Sequence, residues 1–367
     1  MPLTGNKGEW SEIYVFLRLL ATGKLFAADA DLNKINGTFY NILNIIRNEN
    51  GQQLEFHVDS NRGRVSVVDS DTNIVLISLP FGDFEKAADE LYSEIIAAKS
   101  PSFSVIATET FLNNIRVYSL KAKSTDKSDI RTKVHDINTG IDIVQGFSIK
   151  SRLGSPSTLI NAGKTTNFIY EVTGPMTDSI MKDFNSCSKL FKNRFAVLNA
   201  NKCDISYFCM ENSTFENNLL LLDGNLPEIC AEMLKAFFSL GITTVKDAIS
   251  HLTTTNPLNY NLSARHPFYS YKFKKLLTEC ALGMLPSKTW DGTADATGGY
   301  IIVREDGEVL CYHLFNRNEF ENYLLNNTKF ETGSTSRHGF GSIYKDNGKY
   351  YLKLNLQVRV RNTEVLM

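Results

Sequence analysis

The segment SDIRTKVHDINTGIDIVQGFSIKS, which runs from Ser128 to Ser151, decides the fold. Apolar residues alternate over about Asp129 to His135 and again over about Ile143 to Lys150, with the turn signal Asn138-Thr139-Gly140 between them. This pattern predicts a β-hairpin. Because Asp129 begins one strand and Lys150 ends the other, we expect the two side chains to lie side by side at the open end of the hairpin.

An acid and a lysine at one end of a hairpin are typical of phosphodiester cleavage. That reaction needs a carboxylate to hold a divalent cation and a positive charge close to the attacked phosphate. Mg²⁺ prefers oxygen ligands and takes one or two protein carboxylates. Ser148 precedes Lys150 by two residues and should share its face of the strand. Taken singly, an aspartate before a strand is a common turn residue and a lysine at a strand end a common surface residue.

A second carboxylate could come from the N-terminal segment KGEWSE, Lys7 to Glu12. The apolar stripe that follows predicts a helix from about Ser11 to Leu20. Glu9 and Glu12 are three residues apart, so both would lie on one helix face. Acids near a helix N-terminus also interact favourably with the helix dipole, which is a structural reason for their presence. The pattern therefore indicates a metal-dependent DNA endonuclease in which either glutamate could be a ligand.

Composition sets the limits for the rest of the chain. A length of 367 residues suggests about two domains. A net charge of -1 excludes a polycationic binder, but it does not exclude DNA binding through a local positive surface. The six cysteines lack zinc-site spacing, and neither an export signal nor a membrane-spanning segment is recognisable. We therefore expect reduced thiols, no membrane association and a cytoplasmic location.

Local patterns predict a mixed α+β fold. Predicted strands cover Leu54 to Val68, Asn73 to Leu79, Phe168 to Val172, Gly299 to Arg304, Glu308 to Leu314, Ile343 to Lys345 and Lys349 to Val360. Predicted helices cover Asp83 to Lys99, Thr108 to Ile115, Pro227 to Leu240, Pro267 to Leu285 and Asn318 to Asn326. We expect a catalytic domain over residues 1–286, with core elements at 7–20 and 120–172. Residues 287–367 would form a C-terminal, hairpin-rich subdomain that faces DNA.

Several segments together resemble the HpaII-type restriction endonucleases. These are NKGEWSE, LKAKSTDKSDI, GFSIKSRLGSPSTLINAGKTTNFIY, WDGTADATGGYIIV, DGEVLCYH and STSRHGFGSIY…YYLKLNLQVR. The resemblance covers most of the chain. It implies a PD-(D/E)xK-like central mixed sheet flanked by helices, in a Mg²⁺-dependent type II enzyme. Such an enzyme cuts double-stranded DNA within CCGG, while a cognate cytosine methyltransferase protects the host DNA.

The resemblance also assigns residues. Asp129 matches the sheet aspartate of the family, with Asp126 as the alternative, and Lys150 matches the lysine. Ser148 stands where the usual acid would be and cannot replace a carboxylate as a metal ligand. The missing charge is expected from the N-terminal helix, where Glu12 is our first choice and Glu9 the second.

DNA recognition requires phosphate contacts that set the register and base-edge contacts in the groove. Lys121, Lys123 and Lys127 precede Asp129 and could bind phosphates. The polar residues expected to line the groove beside the metal are Arg152, Ser155, Ser157, Thr158 and Asn161. Ser336, Arg337 and His338 lie in a predicted loop over 334–338 and are candidates for base contacts.

Two other functions fit the same residues. A structure-specific repair or recombination nuclease would share the fold and the metal site. A DNA-binding protein that has lost catalysis is the second alternative, because Ser148 replaces an acid. The cut position, the individual base contacts and the oligomeric state are left open by the sequence.

Overall fold

The structure is a computed structural model that describes residues 2–121, 128–136, 140–187 and 190–361, with Phe315 described by its backbone. It confirms the predicted mixture of helices and strands. None of the helices in these ranges is long and apolar enough to span a lipid bilayer.

Helices and strands occur along the whole of the described chain. In chain order, the helices are α1 (Lys7–Thr22), α2 (Phe81–Ala97), α3 (Ile106–Asn114), α4 (Asp178–Ser186), α5 (Phe191–Ala200), α6 (Ser213–Leu222), α7 (Leu226–Leu240), α8 (Val245–Thr255), α9 (Phe268–Leu282), α10 (Arg317–Asn326) and α11 (Thr335–His338). The strands are β1 (Lys24–Ala28), β2 (Lys34–Glu49), β3 (Gln52–Asp59), β4 (Arg64–Asp69), β5 (Val75–Pro80), β6 (Ile130–Asp136), β7 (Ile141–Ser151), β8 (Thr158–Ile160), β9 (Asn167–Thr173), β10 (Asp204–Met210), β11 (Gly299–Val303), β12 (Val309–His313), β13 (Thr328–Phe330), β14 (Ile343–Asp346), β15 (Lys349–Asn355) and β16 (Val358–Val360).

The chain forms two compact units. The first comprises Met1–Ser157 and Ala294–Tyr323, and the second comprises Thr158–Thr293 and Leu324–Met367. These bounds differ from the predicted division between residues 286 and 287. The reason is that β11 pairs in parallel with β7, so strands beyond residue 287 join the same sheet as the hairpin. A pairing between such distant segments leaves no local signal in the sequence.

The first unit contains a nine-stranded mixed sheet in the order β1-β12-β11-β7-β6-β2-β3-β4-β5. The pairs β1–β12 and β7–β11 are parallel. Strand β1 also pairs with β2, so β1, β12, β11, β7, β6 and β2 form a closed ring of pairings. The predicted hairpin is confirmed as β6–β7, with register from Ile130↔Phe147 to Asp136↔Ile141. Its turn falls partly on residues 137–139, which lie outside the described ranges.

Helix α1 packs against the hairpin because nearly all of its apolar side chains point into one core. The predicted stripe of Trp10, Ile13, Leu17 and Leu20 is fully buried. Phe147 of β7 contributes to the same cluster. The helix ends where Gly23 adopts a left-handed conformation with φ of 64°, a conformation that glycine takes at little cost. This core fixes the position of α1 beside β7.

The long strand β2 was not predicted. Several of its buried positions carry polar side chains, namely Asn44, Arg47 and Glu49. Alternation between apolar and polar residues is the usual signal for a strand, and buried polar residues hide that signal. The helices α4, α5, α6 and α8 and the strand β10 were also not predicted.

The second unit contains a four-stranded antiparallel sheet, β10-β9-β15-β14, and a three-stranded sheet, β13-β16-β8. The predicted strand from Lys349 to Val360 is in fact two strands, because β15 pairs with β9 whereas β16 pairs with β13 and β8. The predicted loop over 334–338 is also corrected: it holds the single-turn helix α11, which Ser334 caps. Four residues are too few to show a helical period in the sequence.

Candidate active site

Asp129 is held against the end of β7 by three hydrogen bonds. Its backbone N–H donates to the carbonyl of Phe147 over 2.9 Å. Its Oδ2 accepts from the backbone N–H of Ile149 at 2.6 Å and from Oγ of Ser148 at 3.1 Å. The start of the first strand and the end of the second therefore lie together, as the hairpin predicted. Ser148 acts on Asp129 as a hydrogen-bond donor, which the sequence did not indicate.

Lys150 lies one residue beyond this contact, and its ammonium faces an aromatic ring. Nζ is 5.3 Å from the ring centroid of Tyr300 on β11. Tyr300 is buried and pairs with Ser148 across the two parallel strands. A cation over a tyrosine face is attracted by the electron density of the ring, so Tyr300 positions the lysine. Sequence reasoning missed Tyr300 because its proximity depends on the long-range pairing of β7 with β11.

Glu9 has a structural role at the start of α1. Its Oε2 accepts from the backbone N–H of Asn6 at 2.9 Å, and its own N–H donates to Oδ1 of Asn6 at 3.0 Å. This reciprocal arrangement is a capping box, and the spacing of Asn6 and Glu9 is the sequence signal that could have indicated it. The other carboxylate oxygen of Glu9 lies 3.3 Å from Nζ of Lys121.

Glu12 lies one turn further along α1 and is half-buried. Its pKa is raised to about 8, mainly by burial and then by the negative charge of Asp129, while the charges of Lys121 and Lys150 act in the opposite direction. A carboxyl group with this pKa is protonated at neutral pH unless a further cation is nearby. The charge of Glu9 also raises the pKa of Glu12, so the five groups share one region. We call Glu9, Glu12, Lys121, Asp129 and Lys150 the acid site.

Lys121 interacts with the acids of this site. Its hydrogen bond with Glu9 raises its pKa, and the charges of Glu12 and Asp129 act in the same direction. The residues before it are tied down by a buried ion pair between Arg47 and Glu49, with 2.8 Å between Nη2 and Oε1.

This ion pair links three elements beside the acid site. Glu49 accepts from the backbone N–H of Tyr118 at 3.0 Å, and Arg47 donates to the carbonyl of Ser119 at 2.8 Å. The guanidinium carbon of Arg47 lies 5.1 Å from the ring centroid of Phe16 on α1. The ion pair thereby connects β2, the segment before Lys121 and the helix that carries Glu12.

The donor set determines which metal the site can hold. Among the residues that the structure describes, no group of three or more His, Cys, Asp or Glu side chains could hold a metal ion. Glu12 and Asp129 offer oxygen donors only, and the charge of Asp129 raises the pKa of Glu12. A divalent cation would relieve that repulsion. Two carboxylates with water suit a hard cation such as Mg²⁺ and lack the nitrogen and sulfur ligands typical of zinc.

The stretch of this chain that matches known proteins includes every residue of the acid site. The family model for the HpaII restriction endonuclease matches residues 6–360. The chain is 42% identical over 357 residues to the "Type II restriction enzyme HpaII" of Haemophilus parainfluenzae, an alignment that covers 97% of this chain and 98% of that protein. This chain belongs to the HpaII restriction endonuclease family. It is a type II site-specific deoxyribonuclease, as the resemblance implied. No solved structure matches it.

Arg152 of this HpaII-family enzyme is largely buried. The residue is 8% exposed, and its guanidinium lies 3.7 Å from a carboxylate oxygen of Glu305 and 3.5 Å from the hydroxyl of Tyr323. Its guanidinium is therefore held by residues of the first unit. A positively charged side chain after a strand gives no sign of its burial when its acidic partner is distant in sequence.

The other residues predicted to contact DNA are divided between the two units. Ser157 ends the first unit, whereas Thr158 and Asn161 belong to the second. Ser336 and Arg337 are exposed on α11, and His338 beside them is half-buried. Lys123, Lys127 and the alternative ligand Asp126 lie outside the described residues.

Proposed function

We propose that this HpaII-family enzyme hydrolyses double-stranded DNA at CCGG, with Mg²⁺ held by Glu12 and Asp129 and with Lys150 at the scissile phosphate. The observation that carries the proposal is the acid site: a carboxylate fixed by Ser148 and Ile149 lies near the partly buried Glu12, and two lysines flank both acids. The choice of CCGG rests on the resemblance of nearly the whole chain to the HpaII-type enzymes.

The two proposed ligands are held in place by different means. Asp129 is oriented by the two hydrogen bonds to its Oδ2. Glu12 is placed by α1, which the capping box fixes at its start and a hydrogen bond ties to β7, with 2.7 Å between Oγ of Ser11 and Oγ of Ser151. Side chains held in this way need little reorganisation when a ligand binds, which favours catalysis. Mg²⁺ when bound would supply the Lewis acid that lowers the pKa of the attacking water and draws off charge from the phosphate.

Lys150 and Lys121 have separate proposed roles. Lys150, which Tyr300 positions, stabilises the negative charge that develops on the phosphate oxygens. Lys121 pairs with Glu9 and lowers the repulsion among the acids. Glu12 is preferred to Glu9 as the ligand because the capping box already occupies Glu9.

Further parts of the proposal concern the partners and the fold. We assign the first unit to the PD-(D/E)xK class on the strength of a mixed sheet that carries Lys150, with Asp129 directly before β6. A cognate cytosine methyltransferase is the proposed functional partner. The cytoplasm, where the substrate DNA lies, is the proposed location.

The residues proposed to contact DNA are Lys123, Lys127, Ser157, Thr158, Asn161, Ser336, Arg337 and His338. Residues 287–367 are proposed to face the DNA.

Plasmid digestion tests this function. In Mg²⁺ the wild-type enzyme should give discrete fragments that disappear when CCGG is methylated, and Asp129→Ala should give none. A control variant, Lys349→Met, changes an exposed lysine of β15 and should cut normally. A smear, or cutting that depends on junctions, would instead favour a structure-specific nuclease. Undiminished cleavage by Asp129→Ala would contradict the assigned ligand.

A further inference from the structure

The second unit contains an open cleft of about 480 Å³ between α11, the start of α5 and β14–β15. It is lined by Arg194, Thr335, Ser336, Gly339, Phe340, Ser342, Tyr344 and Lys353. We call these eight residues the donor cleft. Among the described residues that line it, two are cations, four carry hydroxyl groups and none is acidic. Such a lining offers hydrogen-bond donors and positive charge to an anion.

Gly341 lies between the lining residues Phe340 and Ser342 and connects them to Arg194 and Lys353. This glycine has a φ of 90°, its N–H donates to the carbonyl of Lys353 at 2.9 Å, and its carbonyl accepts from Nη1 of Arg194. A Cβ at this position would lie 2.7 Å from Cζ of Phe191, so only glycine fits. Phe340 stacks on the same ring, with 6.2 Å between centroids. The loop and the guanidinium of Arg194 are thereby fixed relative to each other.

The side chain of Lys353 is held by a network of hydrogen bonds that includes Glu211 and Asn167. Its Nζ lies 2.7 Å from one carboxylate oxygen of Glu211, and the other oxygen accepts from Nδ2 of Asn167 at 2.6 Å. Nδ2 of Asn167 also donates to the carbonyl of His338 at 2.8 Å, which holds the end of α11. Glu211 offsets the charge of one of the two lining cations, and a phosphodiester carries a single negative charge.

We propose that the donor cleft binds one backbone phosphate of the DNA duplex, with Arg194, Lys353 and the hydroxyls of Ser336 and Ser342 as its donors. This inference rests on the proposed function, because it names the part of the duplex that the cleft contacts. A base edge presents donors as well as acceptors, whereas phosphate oxygens are acceptors only. A phosphate held here would set the register in which Arg337, the next residue on α11, meets the bases.

Salt-dependent binding tests the inference. Fluorescence anisotropy would measure the affinity of the full-length protein for a CCGG duplex and for a scrambled duplex, in Ca²⁺ to prevent cleavage, across a KCl series. Each phosphate contact by a cation contributes about 0.9 to the slope of log K against log salt. Lys353→Met should therefore reduce the slope by about 0.9 and weaken both duplexes by the same factor. Lys349→Met, on the same strand but paired with Glu171, is the matched control and should leave the slope unchanged.

A second variant keeps the test independent of Lys353. Ser336→Ala combined with Ser342→Ala removes two exposed hydroxyls, and it should weaken both duplexes equally by about tenfold without changing the slope. An unchanged slope in Lys353→Met overturns the proposal, and so does a loss confined to the CCGG duplex. If Lys353→Met does not fold, equal weakening by the serine variant supports the proposal and wild-type affinity overturns it. Failure of the proposed function is a separate result, since wild-type protein would then not prefer CCGG.

Discussion

The acid site brings carboxylates together beside two lysines, whereas the donor cleft is lined by cations and hydroxyl groups with no acid among its described lining residues. In the acid site, Glu12 and Asp129 bring carboxylates together, which suits a cation. In the donor cleft, Arg194 and Lys353 bring positive donors together, which suits an anion. A net charge of -1 for the whole chain reveals neither region. Local charge, and not the total, therefore indicates what each region binds.

Buried polar groups support both regions. Behind the acid site, the Arg47–Glu49 ion pair is almost entirely buried, with side chains 4% and 1% exposed. Beside the donor cleft, Asn167 and Asn355 are fully buried, with 2.6 Å between Nδ2 of Asn355 and Oδ1 of Asn167. Burying such groups costs free energy unless they are hydrogen-bonded. The comparison predicts that changes in the acid site affect the chemical step, whereas changes in the donor cleft affect binding.

Among the variants that keep Asp129, the largest expected effect is at Lys150. Lys150→Ala should lower the single-turnover rate of cleavage by about 1000-fold, because it removes a positive charge that stabilises the transition state. Its affinity for a CCGG duplex in Ca²⁺ should stay within about threefold of wild type, since one phosphate contact is a small part of a DNA interface. A loss of affinity as large as the loss of rate would contradict the claim that the acid site acts on the chemical step and the donor cleft on binding.

The next largest effect distinguishes the two glutamates of α1, Glu12 and Glu9. Glu12→Gln should lower the cleavage rate by about 100-fold, because a neutral amide replaces a proposed metal ligand. Glu9→Gln is the matched control, since a glutamine can keep the capping box and should cleave within a few-fold of wild type. Single-turnover cleavage in saturating Mg²⁺ measures both. The reverse order of the two effects would make Glu9 the ligand.

The pH dependence of the acid site follows from the raised pKa of Glu12, about 8 compared with its ordinary 4.5. Below about pH 8 a proton competes with the cation, so metal binding should release a proton. At subsaturating Mg²⁺ the cleavage rate should rise about tenfold per pH unit towards pH 8 and then level off. In Glu12→Gln this rise should disappear. A flat wild-type profile over the same range would contradict a protonated Glu12.

The same group changes stability in a defined direction. Because its pKa is raised by folding, Glu12 stabilises the metal-free protein fully below about pH 4.5, and this contribution is lost as the pH rises through about 8. Glu12→Gln lacks that loss. The difference in Tm between Glu12→Gln and wild type should therefore shift in favour of the variant between these pH values. Thermal unfolding in a chelator measures it, with Glu9→Gln as the reference.

The smallest effect is expected at Ser148. Ser148→Ala removes one of the two donors to Oδ2 of Asp129 and leaves the backbone N–H of Ile149 in place. A hydrogen bond to a charged carboxylate contributes about 1.5 kcal/mol, so the cleavage rate should fall by about tenfold. A loss as large as that of Lys150→Ala would mean that Ser148 takes part in the reaction and does not merely orient Asp129.

Local sequence patterns predicted the hairpin that carries Asp129 and Lys150 and the helix that carries Glu12. Alternation and a 3.6-residue period are local properties, so both elements could be read from short windows. The pairing of Tyr300 with Ser148 and the burial of Arg152 beside Glu305 depend on segments more than 150 residues apart, and no window contains them. The donor cleft was missed for the same reason, since Arg194 and Lys353 meet only after folding.

Binding of Ca²⁺, which prevents cleavage, to the full-length enzyme with a CCGG duplex tests the acid site most directly. Isothermal titration calorimetry would compare wild type, Glu9→Gln, Glu12→Gln and Asp129→Ala, at a pH above 8 where Glu12 is ionised. We expect wild type and Glu9→Gln to bind the ion alike, and Glu12→Gln and Asp129→Ala to lose at least about tenfold in affinity. Wild-type affinity in both of the latter variants would contradict the claim that these two carboxylates hold the metal.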